Sequence, residues 1–241
     1  MDEADIAELF APIDPSKAFG VVLREAQDVL SHINGPVDAE LWGSDMIGAL
    51  ASDAAGAPEV MAVLATAIVP AAEESRTPEA LALLRIFGAI GSAELRSAAT
   101  EAAGRVVAAG VPDPGWAAMI GAPAVEKCWH YSDVGGRQES ITVSFGYGDS
   151  EHALSVLIDH GKSGKIKDAW VDDAEGLLDK TWLAADNDPL IVFEPIEPAD
   201  AAERLAKAVA AGECPSKPDE ADDLTAHRAL LQARVRYLAA N

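Results

Sequence analysis

Residues Glu151 to Asp168 gather two histidines (His152, His160), two aspartates (Asp159, Asp168) and three lysines (Lys162, Lys165, Lys167) within eighteen positions. No other stretch concentrates so many groups able to do chemistry. A fold about Ser163-Gly164 brings residues 159–160 opposite 167–168, so Asp159, His160, Lys167 and Asp168 form the candidate site. Two carboxylates beside an imidazole can hold a divalent cation or move a proton. The plainer reading is a hydrogen-bonded turn with cross-strand ion pairing.

Other chemistries fail on spacing. Gly161-Lys162-Ser163 could end a phosphate-binding loop, but the first glycine of that motif would fall on Val156, and a strand pattern follows where a helix is needed. Gly161 and Gly164 are instead expected to supply positive φ in a hairpin turn. His152 and His160 share strand parity, yet eight residues of strand separate them by roughly 26 Å. Asp186-Asn187-Asp188 lacks the glycine and distant glutamate of a calcium loop and reads, with Asp172-Asp173-Ala174-Glu175, as a solvated acidic rim. There is no G-x-S-x-G, no H-E-x-x-H and no dinucleotide fingerprint. No cofactor and no metal are expected. Trp129, Trp170 and Trp182 could form an aromatic patch, with core packing expected for at least two.

The elements that must position these residues change character midway. The first half is helical. Asp14-Pro15 starts a helix whose apolar face runs through Phe19, Val22, Leu23, Ala26, Leu30 and Ile33, and Asn34-Gly35-Pro36 stops it. Further helices are expected over 38–51, with Leu41, Trp42, Ile47 and Leu50 inward, and over 58–69. Thr77 and Ser92 cap two more, and Gly110 closes the last. Val111-Pro-Asp-Pro-Gly115 breaks the pattern.

Beyond it, residues 126–132 suggest a strand. Residues 139–147 alternate strictly, with Ile141, Val143, Phe145 and Tyr147 on one face. His152, Leu154, Val156, Ile158 and His160 line a face of the next strand. Ile166, Asp168, Trp170 and Asp172 line a face of the one after, and 190–194 adds a short strand. Helices over 198–211 and 224–238 follow, the last carrying Arg228, Arg234 and Arg236. The expected fold is α+β. A helical bundle or short helical array over 1–111 precedes an antiparallel β-meander with flanking C-terminal helices over 112–241.

Composition bounds the function. The 241 residues are 49% hydrophobic and carry 18 basic against 40 acidic groups, a net of −22. Both halves share the acidity, so it is no tail. A field of that sign repels nucleic acid and anionic membrane and favours basic partners or simple solubility. The two cysteines, Cys128 and Cys214, stand 86 positions apart outside any C-x-x-C, so a cysteine zinc site is excluded and a disulfide is unsupported. The acidic start lacks a signal peptide's basic region, and the longest apolar run, near 60–72, is too short for a membrane span. A cytoplasmic setting is expected.

The Gly-Val-Pro-Asp-Pro-Gly-Trp segment at 110–116, the strand at 151–160 and Lys167-Asp168-Ala169-Trp170-Val171 resemble a group of uncharacterised actinobacterial proteins over roughly residues 78–175. The resemblance implies a bacterial, cytoplasmic origin and transfers no activity. With no complete catalytic constellation, the expected function is a non-enzymatic interaction or regulatory module with a basic protein partner. One alternative is a metal-dependent hydrolase in which Asp159 and Asp168 hold a cation or act as base and His160 shuttles a proton. Another is an acidic mimic of nucleic acid.

Overall fold

A computed structural model describes residues 29–30, 32–53, 57–214 and 222–241. The expected first helix lies mostly outside these residues; Val29 and Leu30 are helical, and Leu30 is buried. The chain is α+β and divides into two compact units, 1–121 and 122–241.

In the first unit, α1 (Pro36–Asp53), α2 (Ala57–Val63), a π-helical turn (Leu64–Ile68), α3 (Val69–Ser75), α4 (Pro78–Ile90) and α5 (Ala93–Ala108) follow in order. Helix α4 is the centre, with α1, α3 and α5 packed on it. Its apolar residues run nearly all round: Leu81, Leu83, Leu84, Ile86 and Phe87 are all fully buried. Thr77 and Ser92 cap α4 and α5 as expected, their hydroxyls accepting from the N–H groups of Ala80 and Leu95. Gly43 lets α1 approach α4, because a Cβ there would lie 2.2 Å from Cγ2 of Ile86. Of the α1 residues expected inward, Ile47 is buried, whereas Leu41, Trp42 and Leu50 are only half-buried.

The helix expected to stop at Val69 continues to Ser75. Pro70 has no N–H and crowds the carbonyl four residues back. The π turn just ahead accommodates it: Val69 N–H bonds to Leu64 O, five residues back. Val111–Gly115 is held within the first unit, since Arg85 grips Asp113 through two bonds of 2.7 and 2.8 Å. The break between the units falls after Gly121, whose N–H donates to buried Glu40 at 3.0 Å.

In the second unit, β1 (Ala124–Asp133), β2 (Gln138–Tyr147), β3 (Ser150–Asp159) and β4 (Lys165–Asp173) form the expected meander. Helix α6 (Ala174–Asp186) then leads to β5 (Ile191–Pro195), which pairs with β1, so the order is β4-β3-β2-β1-β5. All pairings are antiparallel. Helices α7 (Pro198–Ala211) and α8 (Asp222–Ala240) cover one face. Their Leu205, Leu224, Leu231 and Val235 meet Ile141, Val143, Phe145, Leu154, Val156 and Ile158, the alternating residues of β2 and β3. The opposite face is small and polar. Ser140, Thr142, Ser144 and Ser155 are buried there, and Thr142 and Ser155 share a 2.8 Å hydroxyl bond.

Two features depart from expectation. Ile166 does not share a face with Asp168, Trp170 and Asp172. A β-bulge makes Lys167 an extra residue, so Ile166, Ala169 and Val171 face the core while Trp170 packs beneath α6. Helix α6 replaces the expected acidic loop, and Asp173 starts it by accepting the Gly176 N–H at 2.7 Å. Among the described residues no helix is long and apolar enough to cross a membrane.

Candidate functional site

The β3–β4 pairing has a register different from the expected one. Asp159 pairs with Lys165, and Asp168 pairs with Leu157, not with residues 159–160. Lys167 is exposed at the bulge. Asp168 Oδ1 accepts its neighbour's N–H, from Ala169. Of the two residues expected to take positive φ, Gly164 does (φ 74°) and Gly161 does not; Ser163 (φ 65°) takes that role instead. The imidazole of His160 donates to Glu139, with Nε2 2.9 Å from Oε1. Among the described residues no group of three or more His, Cys, Asp or Glu is arranged to hold a metal.

Glu139 is the hub that strand parity could have revealed. It shares the inward face with Ile141 and Val143 and is opposite Ser132 on β1 and Ile158 on β3. His130 and His160 are therefore its diagonal neighbours on the same face. Nε2 of His130 lies 3.0 Å from Oε2, and Arg204 on α7 adds a 2.6 Å bond to the same oxygen. His130 Nδ1 has no hydrogen bond; Glu194 Oε1 lies 3.6 Å away. Both Glu139 oxygens are thus occupied, and its side chain is only 8% exposed. The arrangement clamps β1, β2, the turn and α7 together.

A second polar pair sits at the other end of that face. Arg234, one of the three arginines carried by the terminal helix, is 1% exposed. Its guanidinium lies 5.1 Å from the Phe145 ring centre and 5.6 Å from that of Tyr147. It donates to Nε2 of His152 at 3.2 Å, and the imidazole stacks on the same two rings. Burial, then the charge of Arg234, holds the His152 pKa down at about 3, so the ring is neutral at physiological pH. Both cysteines are free, and burial, then the Glu197 charge, pushes the Cys128 thiol up to about 11, which makes it unreactive.

The remaining feature is an apolar corner. Among the described residues of the second unit, every exposed large hydrophobic side chain falls at Val134 or between 182 and 192: Val134, Trp182, Leu183, Leu190 and Val192. Trp182 is 58% exposed and Leu190 60%. They do not all share one face: Val192, opposite Ser132, stands on the face that α7 and α8 cover, whereas α6 packs on the other face through Leu177. Trp182 and Leu183 lie near the end of α6, which packs on β5, and Val134 N–H donates to Leu190 O at 2.8 Å. Of the three tryptophans, Trp170 packs half-buried against the Ala153, Ala174 and Leu177 cluster, Trp129 is half-buried and Trp182 is exposed. Asp179, Asp186, Asp188 and Glu194 are exposed around the corner. Residues 174–197 hold six carboxylates and one lysine.

The fold and these features define an α+β protein whose described residues bury polar clusters at Glu139 and Arg234 and expose Trp182 and Leu183 near the end of α6. The chain matches no protein-family model, and no curated protein and no solved structure matches it.

Proposed function

We propose that this protein is a non-enzymatic interaction module that docks a basic protein partner on the corner formed by α6, β5 and the end of β1. The observation that carries the reading is the exposure of Trp182 and Leu183 side by side near the end of α6, with the exposed carboxylates Asp179 and Asp186 on the same helix. Apolar patches rimmed by polar groups mark docking sites, and a central tryptophan is a frequent energetic anchor. The acidic rim steers a positively charged partner and selects against acidic ones. The polar clusters at Glu139 and Arg234 support the reading by holding the sheet beneath the corner in one geometry.

The test uses the full chain as bait in native cytoplasm at low and high salt, beside a Trp182→Ser, Leu183→Ser double variant. A stoichiometric partner that salt weakens and the variant loses supports the reading. A partner retained by the variant, or indifferent to salt, overturns it.

A further inference from the structure

We infer that the partner binds as an added strand on the outer edge of β5, an extended basic segment that continues the sheet. The inference rests on the docking reading above and specifies its backbone geometry.

The pairing of β5 with β1 fixes which backbone groups face outward. Val134 N–H donates to Leu190 O, and Ile196 N–H donates to Cys128 O at 3.0 Å. In an antiparallel ladder, bonding alternates by residue. Leu190, Val192, Glu194 and Ile196 therefore turn toward β1, and Ile191, Phe193 and Pro195 turn outward. Ile191 N–H is taken by Asp188 O at 3.0 Å, and Pro195 has no N–H. Among the described residues, what remains is the N–H and carbonyl of Phe193 and the carbonyls of Ile191 and Pro195. That is one donor and three acceptors, enough for four backbone bonds at most.

The other edge of the sheet is closed at the matching place. Ile166 N–H donates to Gly212 O at 2.9 Å, and Cys214 N–H to Ile166 O at 2.7 Å. Edge strands are normally blunted by charge, proline or cover. In β5 only Glu194 and Pro195 do so, at one end, and Ile191-Val192-Phe193 is left without either.

Charge decides the occupant. A second copy would bring a net −22 against −22 and offers Glu194 no cation across the same edge. A basic segment of another protein answers the rim. Paired antiparallel, it places a basic residue opposite Glu194 and apolar residues opposite Phe193 and Val192.

The experiment titrates the full-length protein with a short peptide carrying Lys-Val-Val at its centre and arginine at both ends, reading binding and amide exchange together. Phe193→Pro removes the outward N–H without touching a bond to β1, and Phe193→Ala removes the side chain while keeping that N–H. Expected is slowed exchange at the Phe193 amide, with binding weakened about tenfold by Phe193→Pro beyond any effect of Phe193→Ala. Binding that depends on Trp182 and Leu183 but leaves Phe193 exchange unchanged overturns strand addition and keeps the docking reading. No binding by the peptide overturns the basic-strand inference. Concentration-dependent protection of Phe193 without peptide identifies a second copy instead, which also overturns it.

Discussion

Arg234 and His152 meet at 3.2 Å between a guanidinium nitrogen and Nε2 of the ring. A guanidinium only donates, so Nε2 must accept and the neutral imidazole carries its proton on Nδ1. The pair thus fixes both the tautomer and the charge state of a buried histidine.

That relationship sets a pH dependence. The His152 pKa falls from 6.5 in the unfolded chain to about 3 in the fold. Below 6.5 the unfolded state binds the extra proton, so this group's contribution to stability is complete above 6.5. It is lost as pH falls from 6.5 toward 3, at about 1.4 kcal/mol per pH unit. Urea unfolding measured across pH 7 to 4 should show that slope. His152→Gln, which keeps an acceptor for Arg234 but cannot titrate there, should flatten it.

Removing Arg234 should be costly for packing as well as charge. Its side chain fills the space against Phe145 and Tyr147. Arg234→Ala leaves a cavity over two rings and strips the donor from His152, and should destabilise by about 3 kcal/mol. Denaturant midpoints check this, and an unchanged midpoint would contradict the buried stack.

The Glu139 clamp predicts a graded series. Glu139→Leu removes the hydrogen-bond acceptor of half-buried His130 and should cost about 2–3 kcal/mol. Glu139→Gln should cost less, about 1 kcal/mol, because the amide oxygen can still accept from His130 and Arg204. Arg204→Met should cost no more than about 1 kcal/mol, since that guanidinium is partly in water. Thermal unfolding of the three variants should reproduce this order.

The apolar corner should be almost irrelevant to folding. Trp182→Ser with Leu183→Ser should change stability by no more than about 0.5 kcal/mol, because both side chains already face solvent. Leu177→Ala on the same helix should cost about 2–4 kcal/mol, because Leu177 is buried against Ala153 and Ala174. Equal losses from both would mean that the corner is part of the core.

Local chemistry made part of this legible. The caps Thr77 and Ser92, the alternation of Ile141, Val143 and Phe145, and the stop at Gly212 act within a few residues, so the sequence alone determined α4, α5, β2, β3 and α7. The same logic missed α6, whose polar start resembled a loop and whose apolar residues split between Leu177 inward and Trp182 outward. Of the candidate site, the sequence singled out His160 but not its partner.

What only the tertiary structure decided is which distant residues share an environment. Glu139 takes donors from His130, His160 and Arg204, the last 65 positions away. Arg234 lies 82 positions from His152. One extra residue, Lys167, reverses the facing of Asp168 and Trp170 relative to Ile166. The side-chain period in a strand is two, so a single bulge inverts everything beyond it, and periodicity along the chain does not reveal where strands pair. Burial of a charge such as Arg234 is likewise a property of the aromatic rings brought over it, not of its place on a helix.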